Sequence, residues 1–377
     1  MFLALREIAR SRARFALLGG AVGLLVVLLL FFQSVAGALT GALTGSLANQ
    51  TADVVVYGDR AHQNPAASVL APEAVDAVAA VDGVAEAAGV VQAFSTVTGP
   101  DGEEADAVVV GIEPGAPGTP SEVDGELPGD GQALASGSGF DRGYPTGSTV
   151  TLEPGGIALD VVGEAVDAAA NASPTLYVTL PTFRQLAAAR TGGSADGAPA
   201  GGTPVSWVGV TPADGVDATT LADRITAQVD GVEALARPAA VDALPGVGTI
   251  TQSFGILYVL LYVVVTIVTG VFFLILTVQK RDALVLLRAI GARRRDVVTP
   301  VLLQVVVVVG LGAVIGTAVT AGLLAAAQDT FGAGLEPATA VTSSAAILGL
   351  GLLAAVAAVR RVLAIEPAEA TTAGGLE

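Results

Sequence analysis

Chemistry at a protein site needs nucleophilic or ionisable side chains in register, and this sequence supplies few. It has no cysteine, which excludes disulfides, thiolate metal sites and cysteine nucleophiles. His62 is its one histidine, so neither a His-rich metal cluster nor a His-Glu-x-x-His zinc site can form. A Ser-His-Asp triad would have to use His62, which lies in a polar turn with Gln63, Asn64 and Pro65 and has no nucleophile elbow nearby. It reads as an ordinary surface histidine. Lys280 is the only lysine and follows Gln279, so the Gly-Lys-Ser/Thr ending of a phosphate-binding loop is missing. The chain is therefore not expected to be an enzyme, and no catalytic, cofactor-binding or metal-ligating residue is assigned.

The residues that remain of interest lie in or beside long apolar runs. Four runs reach the roughly 20 apolar residues that a bilayer core of about 30 Å requires: 15–32, continuing weakly past Gln33, then 254–278, 301–327 and 341–359. None contains an ionisable residue, which argues against an ion-coupled carrier or an ion channel. Their polar groups are mild: Gln33, Ser34, Tyr258, Tyr262, Thr266, Thr269, Gln304, Thr317 and Thr320. Tyr258 and Tyr262 stand one helical turn apart on one face. That face reads either as an interfacial aromatic belt or, with Gln33, as a substrate-contacting surface. Gly19 with Gly23, and Gly312 with Gly316, have the four-residue spacing that lets helix backbones approach closely.

Charge orients these spans. Segment 41–248 holds 27 of the 35 acidic residues and only six arginines, a net of −21 against −17 for the whole chain. The other twelve basic residues sit beside the spans: Arg6, Arg10, Arg12 and Arg14 before the first, six from Lys280 to Arg295 between the second and third, and Arg360 and Arg361 after the fourth. By the positive-inside rule both termini and the loop 279–299 are cytoplasmic, and 41–248 and 328–340 lie outside. The first span has a basic lead and an Ala36-Gly37-Ala38 stretch resembling a signal-peptide cleavage site. Its apolar run is long for a signal peptide, and it is expected to be retained.

The expected organisation is a basic segment 1–14, a first transmembrane helix 15–40, a domain 41–248, a second helix 249–279, a cytoplasmic loop 280–299, a third helix 300–327, a short outer loop 328–340, a fourth helix 341–359 and a tail 360–377. Within 41–248, strands are predicted at 53–57, 90–98, 107–112, 148–152, 157–162, 176–180 and 205–210, and helices at 72–81, 182–189 and 218–229. Stretches 113–131 and 191–204 read as exposed loops. The fold class is an integral membrane protein of four transmembrane α-helices, one plus three, with a large α+β extracytoplasmic domain of mixed sheets between the first and second helices.

The cytoplasmic loop has a pattern of its own. It runs Lys280-Arg281-Asp282, then Ala283, Leu284, Leu286, Leu287 and Ile290 as an apolar stripe at helical spacing, with Arg288 within it, Gly291 placed as a helix C-cap and Arg293-Arg294-Arg295-Asp296 after it. Such a segment can lie in the headgroups, be a plain basic loop, or dock a soluble partner.

The stretch 280–296 resembles the signature loop of FtsX-like, MacB-type ABC transporter permeases: a basic-acidic start, a few apolar residues, Leu-Arg-Ala-Ile/Leu-Gly-Ala and a basic-acidic end. Arg360-Arg361 leading to Ile365-Glu366-Pro367-Ala368-Glu369-Ala370 is similar to that family's ending. The opening Met1-Phe2-Leu3-Ala4-Leu5-Arg6-Glu7-Ile8 looks most like the DevC and HrtB branch, which includes glycolipid and haemin exporters. The resemblance implies a plasma-membrane permease that forms a homodimer, pairs with two copies of a separate ABC ATPase carrying the ATP and magnesium, and binds no cofactor itself. It implies that ATP-driven closure of the ATPases is transmitted through Arg281, Asp282, Leu284, Leu287, Arg288, Ile290 and Gly291 to the outer domain, squeezing an amphipathic or membrane-embedded substrate outward. An alternative within the family is a signalling subunit that controls a cell-wall hydrolase or sensor kinase and moves no substrate. No nucleic-acid partner is expected. For haemin as substrate, the iron ligands left to this chain are Tyr258, Tyr262 or a carboxylate near the membrane, such as Asp53 or Asp242.

Overall fold

Four helices of the computed structural model are long and apolar enough to cross a membrane: Phe15–Ala48, Val247–Gln279, Leu302–Ala326 and Pro337–Ala358. They belong to α1 (Arg12–Ala48), α6 (Val247–Gln279), α7 (Arg294–Ala326) and α8 (Pro337–Leu363), and the chain is a multi-pass membrane protein. The structure describes residues 12–136, 144–191, 203–279, 294–326 and 334–363. These form two compact units: the helices, with α1 up to Ala36 and α6 from Gln252, and a large domain spanning Gly37–Thr251.

In the helical unit, Val22, Val26, Leu29 and Leu30 of α1 are buried with Val265 and Phe273 of α6, Val305 and Val309 of α7, and Ile347 and Ala355 of α8. The opposite faces keep large apolar side chains exposed, among them Ile256, Leu260, Ile267, Leu311, Ile315 and Leu353, as helices bathed in lipid do. The small residues have a definite role. A Cβ placed on Gly312 would lie 2.8 Å from the Gly19 carbonyl oxygen, and one on Gly316 would lie 2.6 Å from that of Gly23. The α1 and α7 backbones therefore touch along both glycine pairs, so the four-residue spacing marks a helix contact and not only a glycine-rich composition.

The large domain is built on a split β-α-β plan. Strand β1 (Val54–Gly58), helix α2 (Glu73–Ala79) and the first half of β2 (Val84–Thr98) come first. After a long excursion, β9 (Trp207–Pro212), helix α4 (Ala218–Gln228) and β10 (Val232–Ala236) complete it. The strand order is β10-β1-β9-β2, all antiparallel, the ferredoxin-like arrangement. One face packs on the two helices, burying Val54, Val56, Val208 and Val210 with Val78, Leu221 and Ile225. The other face, with Val55, Tyr57 and Trp207, is covered by Leu47 from the end of α1 and Ala240 from α5 (Arg237–Ala243).

The excursion is a second sheet that closes on itself. It contains β3 (Glu104–Ile112), β5 (Gln132–Ser136), β6 (Thr149–Glu153), β7 (Ile157–Ala165) and β8 (Thr175–Thr179), and β4 (Val123–Gly125) lies on the outer edge of β7. Pairing runs β2-β3-β8-β5-β7-β6 and back to β2, where Thr96 faces both Asp106 and Glu153. The result is a six-stranded barrel, with β3–β8 and β5–β7 parallel. Alternate residues fill its core: Val97, Ala107, Val109, Ala133, Val150, Leu152, Leu159, Leu176 and Val178. Helix α3 (Leu180–Thr191) adds Phe183 and Leu186 to the same core.

Several predicted bounds change. The strand expected at 90–98 starts at Val84, because its first half belongs to the β9 sheet and its second to the barrel. The stretch 113–131 contains β4, while 192–202 and the short loop 327–333 lie outside the described residues. The first membrane helix was expected to end at residue 40 but continues to Ala48. The reason is lateral support: the Ser46 amide donates to the Ala169 carbonyl, the Ala172 amide to the Ala42 carbonyl, and Asn49 Nδ2 to the Asp167 carbonyl. Gly45 makes this approach feasible, since a Cβ there would lie 2.3 Å from the Asp167 oxygen.

Candidate functional site

Gln33, Tyr258 and Tyr262 sit on α1 and α6, and two of the three have their polar atoms engaged. Gln33 Oε1 accepts a 2.9 Å hydrogen bond from Ser343 Oγ of α8. The Tyr258 hydroxyl donates to the Phe32 carbonyl at 3.3 Å, and its ring lies 6.1 Å from that of Phe254. Adjacent residues of α1 thus receive one bond from α6 and one from α8, a polar junction of three helices. In an apolar surrounding such bonds hold helices together, so Gln33 and Tyr258 act first in helix assembly. Tyr262, half-buried one turn along α6, meets no side-chain hydrogen-bond partner among the described residues; only its carbonyl is used, accepting from Thr266. Among the described residues it is the one of the three whose side-chain polar atom has no hydrogen-bond partner. Ser343 went unnoticed in the sequence, although a Thr-Ser-Ser run in the least apolar span was a signal for it.

The residues assigned to ATPase coupling, Arg281, Asp282, Leu284, Leu287, Arg288, Ile290 and Gly291, lie outside the described residues. Among the described residues no group of three or more His, Asp or Glu side chains could hold a metal ion. Asp53 is engaged by an arginine, and Asp242 is exposed.

That arginine, Arg237, stands at a second junction, inside the large domain. It opens α5 directly after β10, and its amide donates to the Asp53 carbonyl. Its Nη1 donates to the carbonyls of Ala48, at 3.2 Å, and Gln50, at 2.9 Å, and its Nη2 lies 3.5 Å from Asp53 Oδ1. Ala48 ends α1, so the guanidinium meets the negative end of the helix dipole. One side chain thereby ties the end of the first membrane helix to the short helix that leads into the second. Arg237→Ala should lower the stability of the large domain by about 1–2 kcal/mol, since it leaves carbonyls without their charged donor. Arg237→Lys should recover only part of that, having no planar fork. Thermal unfolding followed by Trp207 fluorescence reads both; equal midpoints for all three proteins would remove the tie from the account.

In the same domain Tyr57 and Tyr177 are buried. The Tyr177 hydroxyl donates to the Ala168 carbonyl at 2.6 Å. Burial pushes both phenols above their ordinary value, and Glu233 adds to the effect at Tyr57. The raised folded values mean that their contribution to stability is complete below pH about 10 and is lost only as pH rises beyond it.

The sequence from 255 to 367 matches a family model described as FtsX-like permease C-terminal. Residues 255–367 are an FtsX-like permease domain. The match spans the two motifs that carry the resemblance, the loop 280–296 and the start of the tail. Over 150 residues, 40% of the chain, there is 26% identity to a Staphylococcus haemolyticus protein described as a putative hemin transport system permease protein, HrtB. Over 257 residues, 67% of the chain, there is 29% identity to uncharacterized ABC transporter permeases of Mycobacterium tuberculosis and Mycobacterium bovis. An alignment of that length takes in a large part of the domain between the first and second membrane helices. The matched regions cover 42% of the HrtB protein and 65% of the mycobacterial permeases, less than two thirds of each. Among solved structures, the periplasmic region of MacB from Actinobacillus actinomycetemcomitans aligns with 51% of this chain and 90% of its own, at 13% identity and a TM-score of 0.35. The extracellular domain of the Gram-positive transporter YknZ aligns with 49% of this chain and 100% of its own, at 15% identity and a TM-score of 0.32.

Proposed function

We propose that the chain is the permease subunit of an ABC exporter working by mechanotransmission. A homodimer of it, with both termini and the loop 280–299 in the cytoplasm of the plasma membrane, pairs with two copies of a separate ATPase. That partner holds ATP and magnesium. Its closure is passed through residues 281–291 to the membrane helices and on to the outer domain, which drives an amphipathic or membrane-embedded molecule outward. The observation that carries this reading is the FtsX-like domain at 255–367, which contains the basic-apolar loop suited to docking. The way the end of α1 and the start of α5 are built into the large domain supports it, because a displaced helix end would take that domain with it.

A lipid, a glycolipid or haemin fits the substrate class. For haemin, Tyr258 and Asp53 already have partners, which leaves Tyr262 and the exposed Asp242 as the available ligands. The test is reconstitution with the partner ATPase in proteoliposomes, using haemin and a fluorescent lysolipid as probes. The pure chain should hydrolyse no ATP, and the complex should hydrolyse it and move at least one probe to the outer side. Hydrolysis by the pure chain, or an active complex that moves neither probe, would sink the proposal.

A further inference from the structure

Between α2, α3, β2 and the chain leading into β9, the large domain contains a cavity of about 250 Å³. Its walls are apolar: Val75 of α2, Gly89 of β2, Phe183 of α3 and Val205 all line it. Gly89 shapes it, because a Cβ there would lie 2.7 Å from Val205 Cγ1 and 3.2 Å from Val75 Cγ2, so those two side chains close down directly over the strand. A cavity of about 150 Å³ lined by aliphatic and aromatic groups already holds benzene, so this one has room for a short alkyl chain.

Its mouth carries charge. Arg184 and Glu113 both line the cavity and both are exposed. Arg184 differs from the domain's other described arginines that meet a partner. Arg190 donates to the Phe94 carbonyl, Arg224 to the Asp82 carbonyl, and Arg237 to the end of α1. Among the described residues, Arg184 has no ion pair or hydrogen bond, although it sits in a segment of net charge −21. A guanidinium with no partner among the described residues, beside an apolar cavity, suits an apolar chain ending in a carboxylate or phosphate, two of whose oxygens the fork can bind together.

We infer that this cavity binds the tail of an anionic amphiphile, with its headgroup on Arg184. Glu113, which lines the same cavity, sets the selectivity, since it accepts a hydroxyl or ammonium group on the same head and repels a second anion. The inference deepens the exporter reading and rests on it for the meaning of the site, which becomes a station for the transported molecule outside the membrane.

The absence of cysteine makes the test direct. In the full chain in lipid nanodiscs, Val75→Cys places a single thiol in the wall, and Thr219→Cys on exposed α4 serves as the control. Octanoate should slow maleimide labelling of Val75→Cys about tenfold and leave Thr219→Cys unchanged. Octyltrimethylammonium should protect neither. Adding Arg184→Gln should raise the octanoate concentration needed for half protection by about tenfold, the size of a lost charge-assisted hydrogen bond. Adding Ala87→Phe, which fills the cavity, should abolish protection with Arg184 intact. Labelling unaffected by octanoate, equal protection by the cationic amphiphile, or protection indifferent to Arg184→Gln would each overturn the site. Protection without export in the reconstituted complex would sink the exporter reading alone, and export without protection would sink this site alone.

Discussion

Gly316→Leu is expected to break the packing of α1 against α7. The leucine Cβ would fall 2.6 Å from the Gly23 carbonyl oxygen and 2.8 Å from Val26 Cβ. Overpacking a core costs about 1–3 kcal/mol when side chains can adjust. Here the obstacle is backbone, so the upper end or more is expected. A Gly19→Cys/Val308→Cys pair reads the contact directly, because a Cβ on Gly19 lies 3.8 Å from Val308 Cγ1 and no other thiol competes. Mild oxidation should cross-link the parent helices in high yield and the Gly316→Leu protein hardly at all, with a lower melting temperature. Equal yields and equal melting would show that the two glycine pairs do not hold these helices.

Leu287→Asp should abolish stimulation of the partner ATPase while leaving the chain inserted and folded. Leu287 is central to the apolar stripe formed with Ala283, Leu284, Leu286 and Ile290. If that stripe lies in a groove of the ATPase, an unpaired carboxylate within it weakens docking by about 2–5 kcal/mol, a loss of thirtyfold or more. Stimulated hydrolysis by the reconstituted complex is the readout. Undiminished stimulation would assign the stripe to the headgroup region instead and leave the coupling route to be sought elsewhere.

What the sequence revealed and what it hid divide along local and non-local physics. The membrane helices were legible because about 20 apolar residues have few other uses. Strands such as Val54–Gly58 and Glu104–Ile112 were legible from their β-branched runs. Gln132–Ser136 and Val232–Ala236 were not: they are short and alanine-rich, and they are strands because β7 and β8, or β1, supply partners on their edges. The barrel closure was hidden for the same reason, since the parallel pairs β3–β8 and β5–β7 leave no mark in either segment alone. At the candidate site, the residue types on the membrane helices were visible. That Gln33 and Tyr258 would spend their polar atoms on neighbouring helices was not, because the partners, Ser343 and the Phe32 carbonyl, are set by packing. Arg237 was counted only as one charge in an acidic segment; its three acceptors lie 184 to 189 residues away.

The split plan of the large domain also sets an order of events during synthesis. In the finished sheet β1 and β2 never pair with each other; β9 lies between them. Val90 and its partner Trp207 are 117 residues apart, so at the usual 5–20 residues per second the growing chain carries two open strand edges for roughly 6–23 seconds. The barrel is encoded entirely within that interval and can close before the sheet around it exists. Exposed edges invite pairing with other chains, and the acidic character of the domain, which would keep neighbouring copies apart, is most useful during that wait.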